Sequence, residues 1–323
     1  MTERQQQDLR HDEVQAGTTT GLASPDVDVT DDRQNSLWSD AWKALKRNPL
    51  FWIGAVLGVL FTVMAIAPQW FARGADPRSC DLANSALKPS AEHWFGFDQQ
   101  GCDYLANVVY GARSSLIIGT IAVLVILLLG IVVGAIAGYF GGLTDGVLAR
   151  IADIFYGLPL ILGALVLLRV GPSTSIPIIN SRGAGAVAIA LALFGWMTAM
   201  RLVRSQVIAV KTSDYVAAAR AMGASSPRIL VRHILPNAVA PVLVYATITI
   251  GVLIAAEATL TYLGVGLQRP AISWGLQINT GQSLLRTAPH LVLFPSLVLT
   301  LTVMGFIMMG DALRDALDPR QRA

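Results

Sequence analysis

Six apolar runs, separated by shorter polar stretches, fill most of the 323-residue chain beyond its first 49 residues. A helix needs about 20 consecutive apolar residues to cross a bilayer. The runs therefore predict an all-α integral membrane protein with about six transmembrane helices, one more or one fewer being left open. The predicted spans are residues 50–67, 116–138, 146–170, 185–200, 238–256 and 291–309. The third is the least uniformly apolar, because Arg150 and Asp153 lie in it.

The basic residues orient these spans, since loops rich in Lys and Arg stay in the cytoplasm. The region 201–232 carries Arg201, Arg204, Lys211, Arg220, Arg228 and Arg232 against the single acid Asp214. A second group, Lys43, Lys46 and Arg47, precedes the first span. Both groups predict cytoplasmic termini and an even number of spans. Segments 68–113 and 259–290 are then expected on the outer side.

The chain before the first span divides into two parts. Residues 1–36 are polar, acidic and almost free of aromatic residues, a composition that predicts a disordered cytoplasmic tail. Residues 37–49 place Trp38, Trp42 and Leu45 at helical spacing, with the basic residues off that face. This pattern predicts an amphipathic helix at the membrane interface. Pro49 is expected to end that helix and to begin the turn into the membrane.

Composition and motifs exclude several classes of function. Charged residues make up only 14% of the chain, whereas about 25% is usual in soluble domains. A net charge of +3 is too small to indicate a nucleic-acid partner. The sequence has no His-Glu-x-x-His or Gly-x-Ser-x-Gly motif, so no catalytic residue is assigned, and its four histidines lack metal-ligand spacing. It also lacks a phosphate-binding loop, so this chain cannot bind ATP through such a loop.

A polar segment between the fourth and fifth spans contains several residues that typically begin or end helices. Thr212 or Ser213 is expected to cap a first short helix, and Gly223 to end it in a left-handed conformation. Ser225 or Ser226 then begins a second helix, with Pro227 in its first turn. Tyr215, Ala218, Ala219 and Met222 share one face of the first helix, which favours contact with another protein. An ordinary helical hairpin that packs on its own chain is the alternative.

The stretch YVAAARAMGASSPRILVRHILPNAVAPVLV, residues 215–244, resembles the cytoplasmic signature loop of ABC importer permeases. In that family the loop reads Glu-Ala-Ala, three residues, Gly, and then a later Leu-Pro. Ala217, Ala218 and Ala219 occupy the first three places, with Ala217 in place of the glutamate. Gly223 fills the glycine position, and Leu235–Pro236 the ending.

Four further blocks resemble the second, C-type permease of dipeptide, oligopeptide and nickel importers, in the order of that family. They are HWFGFDQQGCDYLANVVYGARSSL (93–116), AGYFGG (137–142), TYLGVGLQRPAISWG (261–275) and GDALRDALDPR (310–320). In the first block, Phe97 replaces the usual Thr and Cys102 the usual Arg. The resemblance covers about residues 42–320.

This resemblance implies a type I ABC importer permease fold over residues 50–320, in the lipid of a bacterial cell membrane. The implied partners are a second homologous permease, two ATPase subunits that bind ATP and Mg²⁺, and an extracytoplasmic substrate-binding protein. The signature loop, residues 205–236, would dock on an ATPase. The coupling residues are then Tyr215, Ala217, Ala218, Ala219, Arg220, Met222, Gly223, Ala224, Leu235 and Pro236.

The substrate stays open among peptides, which are favoured, and nickel or another small solute. An ion-coupled secondary transporter is disfavoured, because it would need acidic residues at mid-membrane depth. Cys80 and Cys102 both fall in the predicted outer segment and are expected to form a disulfide, with two free thiols as the alternative.

Several residues inside the predicted spans have expected local roles. Gly130, Gly134 and Gly138 favour close helix packing within this chain, with an interface between permeases as the alternative. Asp153 is expected to pair with Arg150, and Glu257 with a polar residue of the following outer segment. The prolines at 159, 241 and 295 are expected to kink their helices.

Overall fold

The computed structural model describes residues 37–173 and 183–317. The predicted tail, residues 1–36, lies outside the described residues. Regular structure within the described ranges is helical, apart from two isolated β-bridges, Cys80 with Cys102 and Phe97 with Asp103. The helices are α1 Leu37–Arg47, α2 Pro49–Ile66, α3 Tyr104–Phe140, α4 Gly142–Tyr156, α5 Leu160–Val170, α6 Ala184–Leu193, α7 Trp196–Val210, α8 Asp214–Ala221, α9 Ser226–Ile229, α10 Val239–Tyr262, α11 Trp274–Gly281 and α12 His290–Leu317.

Four of these helices, α2, α3, α10 and α12, are long and apolar enough to cross a membrane. Two further spans are possible if each of two bent helix pairs crosses as one unit. The pair α4 and α5 bends by 80°, and the pair α6 and α7 by 49°. By length and composition the structure therefore agrees with the prediction of about six spans in a multi-pass membrane protein.

The bends correct the predicted third and fourth spans, which are not single helices. Pro159 precedes the first residue of α5, and it has no N–H to continue the hydrogen bonding of α4. The predicted kink at Pro159 is therefore a complete break. Pro295 lies inside α12, whereas Pro241 sits in the first turn of α10, where proline needs no kink.

Helices extend into two segments that the sequence predicts to lie outside the membrane spans. Helix α3 begins at Tyr104, where the carboxylate of Asp103 accepts the backbone N–H of Ala106 at 3.0 Å. Residues 104–113 of the predicted outer segment are therefore helical, and the outer position of 68–113 stays a prediction. Helix α7 continues to Val210, so the predicted loop 205–236 begins only at Lys211.

Helix α3 forms the centre of the bundle and packs against α2, α6, α7 and α10. Its closest approach is to α7, through the three glycines spaced four residues apart. A Cβ on Gly130 would lie 2.5 Å from the Cβ of Ala199, and one on Gly134 would lie 2.5 Å from the carbonyl oxygen of Met200. The prediction that these glycines serve packing within the chain is confirmed.

Helix α1 packs on the end of α12 through its small and aliphatic residues. Ala41 and Leu45 are buried with Ala312 and Ala316, whereas 48% of Trp42 is exposed. The ring of Trp42 meets Phe51 of α2 edge-on, with 6.3 Å between the ring centroids, and the position of α1 at the membrane interface stays a prediction. Asn48 then accepts the N–H of Leu50 at 2.9 Å, and Pro49 begins α2, as expected.

The length of α3 separates two ends of the molecule. Its 37 residues span about 55 Å. We call residues 67–103, which precede α3, the long loop. Residues 211–238 form the hairpin segment at the other end of α3, where Nζ of Lys211 donates to the carbonyl oxygen of Gly138 at 2.7 Å. A cation at this position also complements the negative end of the helix dipole.

Candidate coupling site

The hairpin segment contains two short helices joined at a glycine, as the sequence predicted. Ser213 precedes α8 without a side-chain cap, because its hydroxyl donates to the carbonyl oxygen of Val210 at 2.7 Å. Gly223 follows the helix with a φ of 81°, in the left-handed region that favours glycine. Ser225 then precedes α9, and one π-helical and one 3-10 turn lead to α10.

One face of the hairpin segment is anchored on this chain. Val216 and Ala219 of α8 are buried, together with Ile229 and Ile234 of the following turns. They pack in one cluster with Val203 and Val207 of α7, Ala135 of α3 and Val242 of α10. The hairpin is therefore fixed to the bundle through apolar contacts.

The opposite face of α8 is exposed. Tyr215 is 45% exposed and Met222 82%. Ala218 lies exposed between them, but Ala219 is buried, so its predicted place on the shared face is wrong. Of the ten predicted coupling residues, only Ala219 is buried, and Ala224 and Leu235 are half-buried. The exposed ones are Tyr215, Ala217, Ala218, Arg220, Met222, Gly223 and Pro236. The buried face agrees with a hairpin that packs on its own chain, and contact of the exposed face with another protein stays a prediction.

Ion pairs fasten α7, which carries the hairpin segment, to α4. The guanidinium of Arg204 donates to both carboxylate oxygens of Asp145, at 2.5 and 2.6 Å. Nη2 of Arg201 lies 2.7 Å from Oδ1 of Asp153. The predicted pairing of Asp153 with Arg150 is therefore wrong. The partner comes from another helix, which no spacing along the sequence could indicate.

The long loop at the other end of the bundle is held by local bonds. Cys80 and Cys102 form a disulfide across 22 positions of sequence. Oδ1 of Asp98 accepts the N–H groups of Gln100 and Cys102, both at 2.9 Å. Nη2 of Arg269, which precedes α11, donates to the side chain of Gln100 at 2.9 Å. The loop is thus joined both to itself and to the segment between α10 and α11.

Glu257 is a fully buried carboxylate of α10, and hydroxyl groups satisfy it. Ser115 of α3 donates to Oε2 at 2.9 Å, and Thr261 donates to Oε1 at 2.9 Å. Thr261 belongs to the segment 259–290, so the predicted kind of partner is confirmed, although Thr261 lies in the same helix. Ser115, in a different helix, was not predicted.

The fold and the exposed hairpin together define a class of protein. A chain of the MetNI methionine ABC transporter aligns with a TM-score of 0.52 and 20% sequence identity, over 67% of this chain and 98% of that chain. This likeness shows that the two chains share a fold. The family of binding-protein-dependent transport system inner membrane components matches residues 130–323, and the N-terminal domain of oligopeptide transport permease C matches residues 36–89.

The relatives agree with these family matches. The oligopeptide transport permease OppC of Bacillus subtilis is 38% identical over 297 residues, 92% of this chain and 94% of that protein. The dipeptide permease DppC of the same organism is 36% identical over 89% of this chain and 87% of its own length. The glutathione permease GsiD of Escherichia coli is 36% identical over 90% and 93%. The chain therefore belongs to the family of binding-protein-dependent transport permeases, as the signature residues indicated.

Proposed function

We propose that this protein is the permease subunit of an ATP-driven importer for dipeptides or oligopeptides in the bacterial inner membrane. Membership of the permease family gives the transport role. The peptide substrate is supported by the names of the relatives, which transport oligopeptides, dipeptides and the peptide glutathione. The observation that carries the coupling role is the exposed face of α8 on a hairpin that is anchored to the bundle.

The proposed assembly contains a second, homologous permease, two ATPase subunits and an extracytoplasmic substrate-binding protein. This chain forms half of the pathway and performs no catalysis. ATP and Mg²⁺ are bound by the ATPase subunits, because this sequence lacks a phosphate-binding loop. The hairpin segment then lies in the cytoplasm and the long loop outside, in agreement with the basic residues of region 201–232.

The contacts of the hairpin segment support a mechanism of coupling. An ATPase that moves when it binds ATP would push on Tyr215 and Met222. The buried cluster around Val216 would pass that motion to α7, and the Arg204–Asp145 pair would carry it to α4. Coupling of this kind needs two arrangements of packed helices that both ATP and substrate bias.

Uptake by a reconstituted transporter tests the proposed function. Proteoliposomes would contain this chain, its partner subunits and the binding protein, with ATP on the ATPase side. We expect ATP-dependent accumulation of a labelled tripeptide, and none when this chain is omitted. Accumulation of nickel without any peptide uptake would contradict the peptide assignment.

Crosslinking tests the docking face directly. Tyr215→Cys and Met222→Cys are expected to form disulfides with cysteines placed in the surface groove of an ATPase subunit, because both side chains are exposed. The matched control is Ala219→Cys, one turn along α8 and buried against this chain. It should not crosslink. Crosslinks from Tyr215 and Met222 that form only within the permease would contradict the proposed docking.

Loss of the disulfide is expected to weaken uptake more than membrane insertion. A bridge across 22 positions contributes about 3 kcal/mol by the chain-entropy argument, and the long loop has few buried apolar residues to replace it. Replacing Cys80 and Cys102 together by serine should therefore leave the amount of membrane protein nearly unchanged while uptake falls several-fold. Mass spectrometry of unreduced digests checks the bridge itself, and alkylatable thiols at both positions would contradict it.

A further inference from the structure

A cavity of about 340 Å³ lies between the long loop and α11. Volumes of 300–1,000 Å³ are typical of small-molecule sites. Its wall includes the Cys80–Cys102 disulfide, Asp98 and Gln100 from the long loop. Asn107, from the first turn of α3, and Gln277 of α11 close its inner end, and each is only 8% exposed.

The inner end of the cavity presents hydrogen-bond acceptors. Nε2 of Gln277 donates to the backbone oxygen of Asn107 at 2.7 Å, which fixes the orientation of the amide. Its Oε1 is buried and has no hydrogen-bond partner. Asp98 also lines the cavity, and its Oδ2 accepts the side-chain amide of Asn107 at 3.4 Å. A buried acceptor without a donor is costly, and a bound donor would satisfy it.

The mouth of the cavity carries positive charge. Arg78 and Arg269 both line it, and both are exposed. Neither forms an ion pair within residues 37–173 and 183–317, and the carboxylate of Asp98 has no basic partner there either. The cavity therefore combines buried hydrogen-bond acceptors at its inner end with two exposed guanidinium groups at its mouth, and Asp98 lies in its wall.

We propose that this cavity binds a small zwitterion, an α-amino acid or a short peptide. Its ammonium group would face Asp98 and Oε1 of Gln277, and its carboxylate would face Arg78 and Arg269. An ammonium group supplies the donors that the inner end lacks, and guanidinium groups match carboxylates in geometry. The residues named here all belong to this chain, and a ligand site in it goes beyond the proposed transport function.

Binding of L-alanyl-L-alanine to the full-length chain, purified with its accompanying subunits and held in lipid nanodiscs, tests the site. We expect saturable binding, and loss of at least about tenfold in affinity for the N-acetylated dipeptide and for the dipeptide amide. Each blocked form removes one of the two charges. Equal binding of all three forms, or no binding of the free dipeptide, would overturn the proposal.

Variants at the mouth and at the inner end locate the binding. Arg269→Gln should weaken binding of the free dipeptide about tenfold and remove the discrimination against the amide. Asp98→Asn keeps an acceptor for the loop N–H groups and should remove the discrimination against the acetylated form. Arg286→Gln, which replaces an exposed arginine outside this cavity, is the control. Variants that bind the dipeptide like the unaltered chain, but lose contact with a binding protein, would show a protein-docking surface instead.

Discussion

Replacement of Gly223 by valine is expected to abolish most substrate-stimulated ATP hydrolysis while the transporter still assembles. Gly223 has a φ of 81°, and a β-branched residue there is strained even though a Cβ would meet no atom within 4 Å. The cost is about 1–2 kcal/mol or more, and the chain can relieve it by changing the angle between α8 and α9. Such a change would displace Tyr215 and Met222 from the ATPase, so turnover should fall about tenfold or more.

Two matched substitutions separate strain from bulk. Gly223→Asn should retain most of the stimulated activity, because asparagine tolerates the left-handed region. Gly146→Ala is the second control, since this glycine of α4 has an ordinary φ and free space around its Cβ. The measurements are ATP hydrolysis with and without the ligand-loaded binding protein, and recovery of the assembled complex. Full stimulation in Gly223→Val would show that the turn is not a coupling element.

The hairpin segment shows how far local sequence predicts structure. The positions at which its two helices begin and the left-handed Gly223 were predicted correctly, but neither Ser213 nor Ser225 caps its helix through the side chain. The burial of Ala219 was not predicted, because periodicity gives the faces of a helix but not the direction of the bundle. Val216 on the same side was the available signal, since a large aliphatic residue belongs inside more often than an alanine does.

The membrane spans also show which features the sequence predicts and which it does not. Hydropathy gave about six apolar runs, because the bilayer sets their length. It could not show that α3 begins at Tyr104, because the first turns of this helix contain both polar and apolar residues. Their helical structure depends on the cap at Asp103. Nor could it show the 49° bend between α6 and α7, which occurs at Phe194 and Gly195 without a proline.

The ion pairs and the cavity lay beyond prediction from sequence for a further reason. Asp145 and Arg204 are 59 positions apart, and Asp98 and Gln277 come from segments that only the fold brings together. A charge inside an apolar run indicates that a partner exists, but not which one. The glycines of α3 are different, because their four-residue spacing itself implies a close neighbour.

Gly134 is a position where a side chain is expected to damage the bundle severely. A Cβ there would lie 2.5 Å from the carbonyl oxygen of Met200 and 3.0 Å from the Cβ of Val203. Neither the backbone of α7 nor the Cβ of Val203 can rotate away, so α3 and α7 must separate. Gly134→Val is therefore expected to destabilise the protein by about 3 kcal/mol or more, at the upper end of the cost of overpacking.

Thermal stability of the detergent-solubilised protein, followed by size-exclusion chromatography after heating, measures this effect. Gly134→Val should lower the midpoint by several degrees and reduce the amount recovered, and Gly134→Ala should lie between it and the unaltered chain. Gly58→Ala is the control, because a Cβ at this glycine of α2 meets no atom within 4 Å. It should be neutral or slightly stabilising, since alanine is the better helix former. Because α7 also carries the hairpin segment, any Gly134→Val protein that does assemble should hydrolyse ATP with little response to substrate. Equal stability of Gly134→Val and Gly58→Ala would show that α3 and α7 do not pack at this distance.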